Sequence, residues 1–227
     1  MLMKNNLMRV FIVVGVTVLL SGCSSLVESY TVSDVTDEQL KYLLLEAESL
    51  PGFTAMNGEA LELAFSEWEE ANKDIEGELC DKNRVFQGAI LVNEDESIFV
   101  NTMSEPVCVS VKDYIEFHSS EEGIEEFNNN LQATLTNLVA QAGGGIKNVK
   151  TRLISNDGFG GNIIIYETTA DLIYEDEVGY IIKTYLIVSE KAVLYIGIES
   201  YVGYDGDVEK LATKLVTNGQ YKLDYIK

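Results

Sequence analysis

The run NIIIYETTADLIYEDEVGYIIKTYLIVSEKAVLYIGIESYV, residues 162–202, reads as the heart of a β-sheet. It holds three segments rich in Val, Ile, Thr and Tyr, near 162–172, 178–189 and 192–202, and each reads as a β-strand. A further strand is expected at 147–155. Short polar links separate the segments, notably Asn156-Asp157-Gly158 and Ser189-Glu190-Lys191. Links this short close hairpins, because a parallel crossover needs about a dozen residues or more, so the sheet is antiparallel.

Upstream of this block, Ile124, Phe127, Leu131, Leu135, Leu138, Val139 and Ala142 carry one apolar stripe along a long helix. Ser119 with Glu122 offers a capping box at its start, and Gly143-Gly144-Gly145 stops it. Residues 107–117 alternate and are rich in β-branched and aromatic types, so they are expected as a strand. Strands are also expected at 84–92 and 97–102, joined by the polar turn Asn93-Glu94-Asp95-Glu96.

Near the beginning, Leu40, Leu43, Leu44 and Ala47 follow helical spacing after Ser33 or Thr36 as cap, and the helix ends before Pro51-Gly52. Leu61, Ala64, Phe65 and Trp68 repeat the spacing in a helix expected at 59–73, although 61–65 also reads as a strand. Val208, Leu211, Ala212 and Leu215 form a last helix, started by Asp205 or Asp207 and stopped near Gly219. The fold class is therefore α+β, an antiparallel sheet flanked by helices in one domain spanning 34–227.

Composition sets the outer bounds. The 227 residues include 16 Lys+Arg against 37 Asp+Glu, a net charge of −21, and 46% are apolar. That apolar fraction excludes disorder throughout and supplies a core. Such an acidic chain lacks the clustered Lys and Arg that a phosphate backbone needs, so nucleic acid is not expected as a partner.

The first 25 residues carry an address. Lys4 and Arg9 precede an uncharged eleven-residue run, 10–20, which ends in Leu20-Ser21-Gly22-Cys23. A membrane-spanning helix needs about 20 apolar residues, so this run reads as the apolar region of an export signal. Small residues before a cysteine at its end form a lipobox, and the segment resembles a prokaryotic lipoprotein precursor. The resemblance implies that Cys23 is acylated on sulfur and becomes the first mature residue. Residues 1–22 are then the signal peptide and 23–33 the lipidated cysteine with its tether.

Cleavage there removes 22 residues with two positive charges and no acid, leaving 205 residues at a net charge of −23. Two or more acyl chains hold a protein stably on a membrane, in the plasma membrane or, as Ser24 after the cysteine resembles, in the outer membrane. Anionic headgroups repel so acidic a domain, which is expected to stand off on the tether. A basic envelope protein, a cation or plain solubility would each account for the acidity.

Cys80 and Cys108 remain as an even pair in an exported protein, so a disulfide between them is expected; two buried thiols or a redox pair are the alternatives. The 29-residue loop it would close corresponds to on the order of 3.5 kcal/mol. No C-x-x-C is present.

The sequence holds little catalytic chemistry. His118 is the only His, no G-x-S-x-G occurs, and His118 beside Ser119 and Ser120 reads as a surface or capping residue. A tetrahedral zinc site lacks ligands. Asp205 and Asp207 are a weak calcium candidate, since their spacing departs from the calcium loop pattern and an N-cap explains them locally. Gly158-Phe159-Gly160-Gly161 precedes a strand and lacks Lys, so it reads as a hairpin tip and not a phosphate loop. The Tyr residues at 166, 174, 180, 185, 195, 201 and 204 are expected mostly in cross-strand packing, with a binding rim as the rival. No cofactor is expected.

Leu50-Pro51-Gly52-Phe53 after a Leu-rich helix, a Cys between helix and sheet, and the passage from Tyr114 to Phe127 are similar to extracytoplasmic sensor-like domains of bacterial lipoproteins and receptor kinases. Those domains and the neighbouring Mog1/PsbP-like group are α/β/α sandwiches that mostly bind and seldom catalyse. The resemblance implies architecture and no functional residue. The expectation is a non-catalytic, lipid-anchored envelope domain that binds a protein or a small ligand. An immunity or inhibitor protein against a basic toxin or enzyme is the alternative, and a carboxylate-based hydrolase the more distant one.

Overall fold

In the computed structural model, residues 35–55, 87–95, 97–107, 109–141, 143–156, 158–173, 177–204 and 206–226 are described. The elements are α1 (Asp37–Leu43), a 3-10 turn (Ala47–Ser49), β1 (Phe53–Ala55), β2 (Gln87–Asn93), β3 (Ile98–Pro106), α2 (Val111–His118) and α3 (Glu121–Gln141). Then come β4 (Gly145–Ile154), β5 (Ile163–Ile173), β6 (Glu177–Val188), β7 (Ala192–Tyr201) and α4 (Val208–Tyr225). The helix expected at 59–73 lies outside the described residues.

All strands pair antiparallel in one sheet of order β1-β2-β3-β7-β6-β5-β4. Two hairpin ladders, β4-β5 and β6-β7, join through β5-β6, and β3 docks on β7. Beta-7 is thus central. Its residues alternate between two cores. Val193 and Tyr195 point to one face with Phe127, Leu131, Leu135 and Val139 of α3. Leu194, Ile196 and Ile198 point to the other with Leu40 and Leu43 of α1 and Ala212, Leu215 and Val216 of α4. Helices cover both faces, and the period-two alternation of each strand feeds both layers.

Helix ends follow local hydrogen bonding. Thr36 caps α1 in a capping box with Gln39, its hydroxyl accepting from the Gln39 N–H at 3.3 Å. Alpha-1 stops at Leu43, earlier than the apolar spacing suggests, because Leu44 turns extended; the next N–H, of Leu45, donates to Thr102 Oγ1 on β3 at 3.4 Å. At the end of α3, Gly143 adopts φ +78°, and the N–H groups of Gly143 and Gly144 reach back to Ala140 and Val139 at 2.9 and 2.8 Å. That is a Schellman stop, as the glycine run implies.

Three local expectations are corrected. Residues 111–118 form helix α2 and not a strand; Ser110 accepts from the Asp113 N–H at 3.1 Å, and Tyr114, Phe117 and His118 share the buried face. Ser119 caps the end of α2, and it is the Ser120 hydroxyl that accepts from the Gly123 N–H at 3.1 Å, opening α3. Alpha-4 runs through Gly219 to Tyr225. A Cβ at Gly219 would lie 2.7 Å from Leu194 Cδ2 and 2.9 Å from Ile187 Cδ1, so the helix packs on the sheet here too closely for a side chain.

Candidate functional site

The core beneath α2 and α3 contains a polar seam. Strand register aligns Phe99, Glu199, Ile182, Thr168 and Thr151 in one cross-strand row and Asn101, Gly197 and Thr184 in the next. Gly197 has no side chain, and the Asn101 Cβ lies 3.5 Å from where a Cβ of Gly197 would stand, so Asn101 fills that space. From there its Nδ2 donates to one oxygen of Glu199, and the Tyr180 hydroxyl donates to the other. Asn101 Oδ1 has no hydrogen-bond partner among the described residues.

Glu199 is fully buried. Burial pushes its carboxyl up to about 8, against the two hydrogen bonds that favour the ionised form, so it carries its proton at neutral pH. Two neutral donors cannot replace the water that a buried carboxylate loses.

Two further chains flank it. The Tyr195 hydroxyl donates to Glu105 Oε1, which leaves the Tyr114 hydroxyl, 2.7 Å away, as the donor to Tyr195. The Tyr166 hydroxyl donates to the backbone carbonyl of His118, so the His118 Nδ1, 3.3 Å from that hydroxyl, is assigned as the N–H donor of a neutral ring. Burial holds His118 down to about 4. Its ring lies 4.2 Å from that of Tyr114, and Tyr166 stacks on Phe127 at 4.1 Å. His118 is therefore a buried residue of the seam, which corrects the surface reading. Ser120 forms no dyad with His118: Ser120 Oγ donates to the Phe117 carbonyl at 2.7 Å, while the His118 Nδ1 faces the Tyr166 hydroxyl.

The seam can store and orient protons, but Glu199 at 0% exposure does not meet a substrate arriving from solvent. A surface feature lies elsewhere, at the end of the sheet where the β4-β5 and β6-β7 turns meet α4. There an open groove of about 800 Å³ is lined by Gly160, Gly161, Asn162, Glu190, Lys191 and Gln220, among others. The Gln220 amide donates to the Gly160 carbonyl and ties the turn to the helix. Both charge signs and exposed backbone line this groove, a setting suited to a small polar ligand or a peptide.

The other sequence candidates fall as follows. Cys23, Cys80, Cys108 and Asp205 lie outside the described residues. Asp207 caps α4, accepting from the Lys210 N–H at 3.0 Å, which gives it the local role expected of an N-cap. Among the described residues no group of three or more His, Cys, Asp or Glu could hold a metal ion. Asp95 is bound within its own turn by Ser97 and Asn93, and these hydrogen bonds, led by the Ser97 hydroxyl, hold its carboxyl below the usual range. The stretch 158–161 is the expected hairpin tip, where Phe159 packs edge-on against Tyr185 at 5.8 Å. Tyr166, Tyr180, Tyr185 and Tyr195 are buried, in keeping with packing. Glu199 and Asn101 escape sequence reading, because their burial follows from the central place of β7.

The chain matches no protein-family model, no curated protein and no solved structure.

Proposed function

We propose that the protein is a lipid-anchored envelope lipoprotein whose α+β domain binds a partner or small ligand without catalysing a reaction. The observation that carries this is Leu20-Ser21-Gly22-Cys23 at the end of the apolar run 10–20, with Lys4 and Arg9 ahead of it. Among the described residues no helix is long and apolar enough to cross a membrane, so a lipid on Cys23 is the attachment this reading invokes. The seam's burial and the open groove at the sheet end support binding over catalysis. Glu105 and Glu199 lie on one face but far apart: Glu105 is opposite Val193, six residues along β7 from Glu199, roughly 20 Å at strand rise. Carboxylates so placed cannot flank one glycosidic bond.

The charge of −23 after cleavage favours a second reading, an inhibitor or immunity protein that meets a basic envelope partner; such a contact would weaken with salt. The anchor itself is tested by Cys23→Ala. The variant should move from the membrane to the soluble fraction of its native cells, and continued attachment would sink the lipoprotein reading.

A further inference from the structure

We propose that the exposed face shared by α1 and α4 rests on the lipid surface that holds the anchor, an inference that depends on Cys23 being the anchor. Tyr42, Tyr221 and Tyr225 are exposed by 41%, 67% and 73%, in a chain whose other tyrosines at 166, 180, 185 and 195 are buried. Tyr42 and Tyr225 meet across the two helices with ring centroids 5.4 Å apart. On α4, Lys210, Lys214, Thr217, Tyr221 and Tyr225 recur at i, i+4, i+7, i+11 and i+15, and all five are exposed. That is a stripe of cations at one end and aromatic rings at the other.

Charge sets this face apart from the rest of the domain. Alpha-1 and α4 together hold four lysines and four acids, so the net charge of −21 lies in the rest of the chain. The Lys222 ammonium donates to the Leu44 carbonyl at 2.5 Å and lies 5.3 Å from the Tyr42 ring centroid, while Lys214 reaches the Ser49 carbonyl at 3.2 Å. Glu46 and Glu48, exposed on the turn after α1, add two acids to this face, so it carries −2 against −19 for the rest of the chain and headgroup repulsion is weaker on this side than elsewhere. Tyrosine and lysine both suit a boundary, with an apolar body and a polar tip.

Chain length points the same way. Only residues 24–34 separate Cys23 from Val35, a span of at most about 40 Å when fully extended. The tether leads directly into α1, whose last turn carries Tyr42. Entry of the tether at α1 puts the α1 side nearest the point of attachment, and on this proposal the stand-off expected from net charge gives way to an oriented contact.

The test replaces Tyr221 or Tyr225, both exposed enough to take a larger ring system, with photoreactive p-benzoylphenylalanine in the full lipidated protein on vesicles of phosphatidylcholine with a minor share of clickable phosphatidylglycerol. Glu125, exposed on α3 across the sheet, is the control position. Lipid adducts several-fold more abundant from positions 221 and 225 than from 125 are expected. Equal adducts from all three positions, or a protein dimer adduct in their place, would overturn the contact while vesicle flotation still reports the anchor. Failure to float would overturn the anchor and this orientation with it.

Discussion

Glu199→Gln stabilises the domain at pH 8 and flattens its stability between pH 6.5 and 8. The cause is proton linkage. In the unfolded chain Glu199 ionises near its ordinary 4.5, while burial holds it protonated in the fold up to about 8. Below 4.5 both states carry the proton and the group is neutral in its effect. As pH rises from 4.5 to 8 only the unfolded state releases it, so native stability falls, by roughly 1.4 kcal/mol per pH unit as an upper bound, and levels off above 8. His118 acts with the opposite sign. Its folded value of about 4 lies below its ordinary 6.5, so it costs stability as pH falls from 6.5 towards 4.

Between 4.5 and 6.5 the two slopes offset one another, which is why 6.5 to 8 isolates Glu199. Gln keeps the shape and still accepts from the Tyr180 hydroxyl, and its N–H pairs with Asn101 Oδ1 once the Asn101 amide flips, in place of the Nδ2 donation to Glu199. Chemical denaturation at several pH values reads the effect. Curves for the two proteins that remain parallel from pH 6.5 to 8 would show that Glu199 is not held neutral.

Gly123→Ala should lower stability by about 3 kcal/mol, close to 10 °C in melting temperature for a domain of this size. In an ordinary helix the same change gains up to about 1 kcal/mol. Here Gly123 sits at the elbow between α2 and α3, where an added Cβ would stand 2.2 Å from the Phe117 carbonyl oxygen and 2.9 Å from its carbon. That oxygen already accepts from the N–H and hydroxyl of Ser120 at 2.9 and 2.7 Å, so it cannot withdraw without opening the elbow. Because the elbow sets His118 against Tyr166, near-ultraviolet circular dichroism should change as well. Gly160→Ala, where nothing lies within 4 Å of the added atom, is the matched control. Equal melting temperatures for the two variants would contradict the tight elbow.

The hairpins were legible because two signals agree there: strand composition in the segments and turn residues between them. The ladders β4-β5 and β6-β7 accordingly fall within a residue or two of the expected bounds. Residues 107–117 misled because Val107, Val109 and Val111 alternate while Tyr114, Phe117 and His118 also fit a helix, and the Ser110 cap decides between the periods. Gly219 read as a stop because a glycine's local meaning is a helix end; its role here is set by Leu194 and Ile187 on the sheet, which no local window contains. The seam was hidden for the same reason. Glu199 looks like an ordinary charged residue until β3 and β6 are seen to enclose β7 and helices to cover both faces. The address, by contrast, rests on contiguous residues and needs no fold to be read.

The anchor on Cys23 is read directly from the mass of the N-terminal peptide of the protein extracted from native membranes. A peptide beginning at Cys23 and carrying a diacylglyceryl group is predicted; one that continues through residues 21–24 with an unmodified cysteine would contradict the account.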